Sequence, residues 1–158
     1  MRARFPVLFR SNLCSRKAGI CNFSYNMLPW RLDMRRILIV DDEVAILTLL
    51  SRSFRKAGYE VTTARSGEEA LAICETNSFD AVLSDVTMGG IDGHQTVSSI
   101  RARLPEVISV LMSGFHLACT GACQLKTRHC TWLQKPFRPD IAVTTIDRLL
   151  AHDLVLIN

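Results

Sequence analysis

From Arg35 onward the chain alternates short, unbroken apolar runs with longer stretches in which apolar residues recur every three or four positions. Ile37 to Val40 is a continuous apolar run ended by acids, the pattern of a parallel strand covered on both faces. Val44 to Ala57 sets Ile46, Leu47, Leu49, Leu50 and Phe54 at helical spacing, and Gly58 follows as a C-terminal stop. The unit then repeats. Tyr59 to Thr63 predicts a second strand, and Ser66 and Glu69, at capping-box spacing, open a helix carrying Ala70, Leu71 and Ile73. Ala81 to Ser84 predicts a third strand, Asp92 to Leu104 a helix with Val97 and Ile100 inward, and Val107 to Met112 a fourth strand. A less regular stretch, Phe115 to Arg128, precedes a fifth strand at Thr131 to Gln134 and a last helix at Pro139 to Leu150 with Ile141, Ile146, Leu149 and Leu150.

Five strands alternating with five helices imply right-handed crossovers and an α/β fold: a doubly wound, five-stranded parallel sheet with helices on both faces, flavodoxin-like in type. Ligands of such sheets bind beyond the carboxyl ends of the strands. Those positions hold Asp41, Asp42 and Glu43 after the first strand and Asp85 after the third. Ser113 and Gly114 follow the fourth, and Lys135 the fifth.

Adjacent carboxylates repel one another, and a divalent cation relieves the repulsion. Mg²⁺, with its preference for a few carboxylates, a carbonyl and waters, suits Asp41 and Asp42 best. Asp85 faces the same place, where a carboxylate can act as a nucleophile toward phosphorus and form an aspartyl phosphate. Ser113 and Lys135 supply a hydroxyl and a cation for the charge on the transferred group. Taken singly each residue has a plainer reading: Asp42 as a helix N-cap, Ser113 as a turn former, Lys135 as a solvated loop residue, and His94 or His152 as surface residues. Four strand ends that supply complementary groups for one reaction outweigh those readings.

Composition narrows the setting. The chain has 158 residues, 48% hydrophobic and 22% charged, enough for one ordinary core. No apolar run approaches the roughly 18 to 20 residues of a membrane-spanning helix, so no membrane partner is expected. Residues 1–33 carry six Lys/Arg against one acid, and residues 34–158 carry thirteen against fourteen. The basic excess therefore sits in the leading segment, and direct DNA binding by the body is not expected. That segment lacks a sustained apolar period and the apolar core of a secretory signal. It reads as a basic, disordered leader, as a transit peptide, or as a mis-assigned start with translation beginning at Met34. Six cysteines without a secretory signal suit a reducing, cytoplasmic setting.

The body resembles the receiver domain of bacterial two-component response regulators across residues 35–152. The matching segments are RRILIVDDE, FDAVLSDVTMGGIDG, VISVLMSG and WLQKPF. Their spacing also fits, with 43 residues from Asp42 to Asp85, 28 from Asp85 to Ser113 and 22 from Ser113 to Lys135. The resemblance implies that residues 34–158 form a receiver domain whose phosphoacceptor is Asp85, phosphorylated by a sensor histidine kinase or a histidine phosphotransfer protein. It implies Mg²⁺ held by Asp42, Asp85 and the Thr87 backbone carbonyl, with Asp41 acting through metal-bound water. It further implies Ser113 as the switch hydroxyl, Lys135 as the contact to the phosphoryl group, a cis bond from Lys135 to Pro136, and Trp132 as the aromatic switch residue. The output would be a phosphorylation-dependent surface read by an unknown partner protein, since AHDLVLIN after the last helix is too short for an output domain.

Two departures stand out. Gly89 replaces the usual proline after Met88, which loosens the loop beyond Asp85. The stretch 115–131 is irregular and holds His116, Cys119, Cys123, His129 and Cys130, open to zinc binding or redox sensing on one reading and to small buried hydrophobes on the other. Two further functions compete. A Mg²⁺-dependent phosphohydrolase would need a general acid where Thr87 stands, two residues after Asp85, and a cap insertion that is lacking. A constitutive, phosphorylation-independent interaction module would retain the fold without needing the intact acids, Ser113 and Lys135.

Overall fold

The computed structural model describes residues 34–114 and 129–155, with side chains through Ala151. The leader, and the helix expected within 115–128, lie outside the described residues. The elements are β1 (Arg36–Val40), α1 (Val44–Lys56), β2 (Glu60–Ala64), α2 (Gly67–Thr76) and β3 (Ala81–Asp85). They continue with α3 (Gly93–Arg103), β4 (Ile108–Ser113), β5 (Cys130–Gln134) and α4 (Pro139–Val155). All pairings are parallel, in the order β2-β1-β3-β4-β5. The fold class read from the sequence is the one observed.

Successive side chains of a strand point to opposite faces, and β1 divides two cores by that rule. Ile37 and Ile39 pack with Leu47, Leu50 and Phe54 of α1 and with Ala142 and Ile146 of α4. Leu38 and Val40 pack with Ala70 and Cys74 of α2 and with Val97 and Ile100 of α3. Ile37, Leu38, Ile39 and Val40 are all fully buried. This explains why the run carries no polar alternation.

Two helices differ from expectation in which apolar residues face inward. On α1 the buried stripe is Leu47, Leu50, Ser51 and Phe54, while Leu49 is 54% exposed. Leu49 lies two residues, about 200°, from Leu47 around a helix of 3.6 residues per turn, so it faces away. On α4, Ala142 and Ile146 are buried four apart and Ile141 is 47% exposed. On α3, Val97 and Ile100 are buried as expected. Ser66 caps α2 by accepting the Glu69 amide at 3.2 Å, but Glu69 reaches back to the Arg65 amide at 2.7 Å, one residue earlier than a capping box requires.

Helix α1 ends in a Schellman arrangement: the Gly58 amide donates to the Arg55 carbonyl at 3.0 Å and the Tyr59 amide to the Phe54 carbonyl at 3.0 Å. The rings of Phe54 and Tyr59 meet edge to face at 5.3 Å. The Tyr59 hydroxyl donates to Asp147 of α4 at 2.6 Å, which joins α1, β2 and α4 at the end of the sheet remote from the strand carboxyl termini. No helix among the described residues is long and apolar enough to cross a membrane.

Phe54 has no solvent exposure and takes part in both the core and this helix stop. Phe54→Ala is expected to lower the free energy of unfolding by about 3–5 kcal/mol. Urea unfolding followed by far-UV circular dichroism measures the change.

Candidate functional site

The chain crosses over β1 in passing from β2 to β3, so β1 and β3 lie side by side where the strand order reverses, the place where such sheets bind ligands. Asp41 follows β1 directly and its amide donates to the Ala64 carbonyl at 3.2 Å. Its carboxylate is fully buried. One oxygen, Oδ1, accepts the Glu43 amide at 2.9 Å and the other, Oδ2, accepts from Lys135 Nζ at 3.1 Å. Asp85 is the last residue of β3, 7% exposed, and its Oδ1 lies 3.1 Å from the same ammonium. Asp42 is exposed, yet ligand atoms of Asp41, Asp42 and Asp85 all fall within 4.8 Å of one another.

That geometry removes the N-cap reading of Asp42. The N-cap of α1 is Glu43, which makes no side-chain capping bond, and Asp41 accepts the Glu43 amide. Asp42 therefore has no structural task in the helix start and turns toward the other acids.

Burial pushes the Asp85 carboxyl above the ordinary aspartate range; Lys135 pulls it down and Asp41 pushes it further up. Burial alone would discharge Lys135, but hydrogen bonds and charge from Asp41 and Asp85 outweigh it and raise its pKa. The ammonium thus stays charged between two carboxylates while Asp42 remains open to solvent. Three hard oxygen donors from three residues at this spacing fit Mg²⁺, which binds through a few carboxylates and keeps several waters.

Ser113 closes β4 and is 2% exposed; its carbonyl accepts the Lys135 amide at 2.7 Å. The Lys135–Pro136 bond is cis. Thr87 lies exposed in the loop after β3, and Trp132 lies opposite Leu111 in the β4–β5 register, 37% exposed. His94, on the first turn of α3, is half-buried and does not belong to the acidic cluster of Asp41, Asp42 and Asp85. His152 has no described side chain, and His116, Cys119 and Cys123 lie outside the described residues. His129 is buried with Nδ1 4.0 Å from a Glu106 carboxylate oxygen, and Cys130 is half-buried at the start of β5.

Two contributors were not evident beforehand. Gly93, at the start of α3, lies so near the end of β3 that an added Cβ would meet the Asp85 carbonyl oxygen at 2.0 Å. Its place in IDG carried only a weak signal, because close approach is a tertiary fact. Glu68, on the first turn of α2, accepts the Ile91 amide of the same loop at 3.0 Å. Nothing in the local sequence marks it apart from the Gly89–Gly90 pair it faces.

Gly93→Ala is expected to push α3 away from β3, at a cost of about 1–3 kcal/mol of stability, together with weaker Mg²⁺ binding. Chemical denaturation and a metal titration test both effects. A second expectation follows from Asp85. Its raised folded pKa means the native state holds a proton that the unfolded state releases, so stability from this group falls as pH rises from the ordinary aspartate range through the folded value. Without metal at neutral pH, Asp85→Asn should therefore melt above the wild type, the gap closing as pH drops below the ordinary range. Thermal unfolding in chelator across pH reads both.

The family model for the response regulator receiver domain matches residues 37–147. The transcriptional regulatory protein ZraR of Salmonella typhimurium is 38% identical over 116 residues, covering 73% of this chain and 26% of that protein. The DNA-binding transcriptional regulator NtrC of Klebsiella pneumoniae is 33% identical over 114 residues, covering 72% of this chain and 24% of that protein. The chain thus spans about a quarter of the length of these relatives. The chemotaxis response regulator CheY4 of Vibrio cholerae superposes with a TM-score of 0.66 at 30% identity, over 73% of this chain and 98% of that one. The receiver domain of the hybrid histidine kinase CckA gives 0.62 at 36% identity, over the same shares. With the fold, the acidic rim and these likenesses in agreement, the chain belongs to the response regulator receiver domain family, the phosphoacceptor signalling domains of two-component systems.

Proposed function

We propose that Asp85 is the phosphoacceptor of this domain, taking its phosphoryl group from a sensor histidine kinase or a histidine phosphotransfer protein. The observation that carries the reading is one ammonium, Lys135 Nζ, at 3.1 Å from both Asp41 and Asp85, with Asp42 completing an open acidic cluster. A carboxylate oxygen of Asp85 attacks phosphorus, the P–N bond to the donor histidine breaks, and a mixed anhydride forms. Lys135 already reaches an Asp85 oxygen, so it can follow the charge that develops on the phosphoryl oxygens. Asp42, Asp85 and the Thr87 carbonyl would hold Mg²⁺ directly, and Asp41 through metal-bound water. Bound there, Mg²⁺ supplies charge to the phosphoryl oxygens and neutralises the acids.

Ser113 is the switch hydroxyl in this reading, and Trp132 the aromatic switch residue. Support comes from the Lys135 amide to Ser113 carbonyl bond, which ties the two strand ends that would respond to the phosphoryl group. The phosphorylated state is favoured through its own contacts, and the population shifts toward a changed partner surface. The domain acts as an acceptor rather than a phosphohydrolase: Thr87, two residues after Asp85, carries a hydroxyl too weakly acidic to serve as the general acid for a leaving group.

Incubation with Mg²⁺ and acetyl phosphate should add one phosphoryl mass to the intact protein, labile to hydroxylamine and absent from Asp85→Asn. Lys135→Ala should slow the addition at least tenfold. No mass gain in a folded protein that binds Mg²⁺ would overturn the reading in favour of a constitutive interaction module.

A further inference from the structure

The loop between β3 and α3 is fastened at both ends and loose between them. At its start, the Val86 amide donates to the Met112 carbonyl at 2.9 Å, and the Val86 carbonyl accepts the Gly93 amide at 3.1 Å. Between these, Thr87 to Gly90 make no hydrogen bond to another described residue. The loop contains two consecutive glycines. A Cβ at Gly89 would meet nothing within 4 Å, and Gly90 has φ +85°, a conformation that side-chain-bearing residues seldom adopt. A chain segment of this composition has many accessible conformations, and a Thr87 carbonyl that is to share a metal with Asp85 needs them narrowed.

One side chain closes the gap. Glu68 Oε1 accepts the Ile91 amide at 3.0 Å, and the same oxygen lies 2.5 Å from where a Cβ on Gly90 would stand. The carboxylate therefore lies across the glycine turn and holds its far end. Its own support is firm. Helix α2 is capped by Ser66, and its first turn is set so close to the loop and α3 that a Cβ on Gly67 would meet Thr96 Oγ1 at 2.2 Å and Ile91 Cγ1 at 2.4 Å. The Ile91 amide holds the Glu68 carboxyl below the ordinary glutamate range, as a hydrogen bond to the charged form does.

We propose that Glu68 is a positioning residue for the phosphoacceptor site: by accepting the Ile91 amide it fixes the glycine turn after Asp85, and with it the Thr87 carbonyl. It touches neither metal nor phosphoryl group and acts only through the loop. The inference rests on the reading of the Asp85 site as a Mg²⁺-dependent acceptor. Supporting residues around metal ligands influence affinity because they orient the ligands.

The test compares Glu68→Ala and Glu68→Gln in the full chain. Glutamine keeps an acceptor oxygen but loses the charge, and with it any favourable contact with the α2 dipole or long-range pull on a cation. Calorimetric titration with Mg²⁺ should show about three- to tenfold weaker binding for the alanine variant and binding within about twofold of wild type for the glutamine variant. In metal-free buffer, exchange of the Ile91 amide should quicken in the alanine variant and stay near wild type in the glutamine variant. Unchanged affinity in Glu68→Ala, or an equal loss in both variants, would overturn the proposal, the second outcome assigning the effect to charge alone. A wild type that binds Mg²⁺ but gains no phosphoryl mass would instead refute the acceptor reading, and the titrations would still decide whether Glu68 positions the loop.

Discussion

A carboxylate without solvent exposure must be met by hydrogen bonds and an opposite charge, and Asp41 is met by both. Its three connections reach three different parts of the chain. The amide joins the last residue of β2, one carboxylate oxygen takes the amide at the start of α1, and the other takes the lysine that follows β5. Losing Lys135 would leave a buried charge without its cation, and the carboxyl ends of β1 and β5 would lose a shared tether. The position of Lys135 relative to Asp85 is thus a consequence of satisfying Asp41. The reactive arrangement and the structural requirement are one set of contacts.

Most of the site could be read from the sequence because parallel strands deliver all their carboxyl ends to one edge. Once the apolar runs ending at Val40, Ser84, Met112 and Gln134 were recognised, the residues after them had to be neighbours. Asp41, Asp85 and Lys135 follow from that rule alone. Asp42 reads with Asp41 as part of a metal pair, against a plainer reading as a cap, and the Asp41–Glu43 bond shows that the start of α1 is held without it.

What escaped the sequence did so for identifiable reasons. Leu49 and Ile141 are apolar but sit off the buried stripe, whereas Ser51, polar but on it, is buried: helical angle, not side-chain polarity, decides the face. Gly93 and Glu68 act across space, through the approach of α3 to β3 and of α2 to the following loop. Neither approach leaves a periodic trace. Gly89 was visible as a loosened loop, but the carboxylate that holds the far end of that loop stands some twenty residues earlier, on another element.

The full burial of Ile37 to Val40 in β1 has a consequence for how the chain tolerates change. Most half-buried strands resist sliding because a one-residue shift sends apolar side chains into water. In β1 such a shift exchanges aliphatic residues of similar volume between two equally dry cores, and its cost falls at the ends, where Arg36 or Asp41 would take a buried aliphatic place. Within the run from Ile37 to Val40, hydrophobicity is nearly blind to that error. The acids are not, since a slipped strand would bury Asp42 or withdraw Asp41 from its lysine. The charged residues after the strand therefore serve as its ruler, and insertions or deletions there should be less tolerated in the lineage than aliphatic exchanges within it.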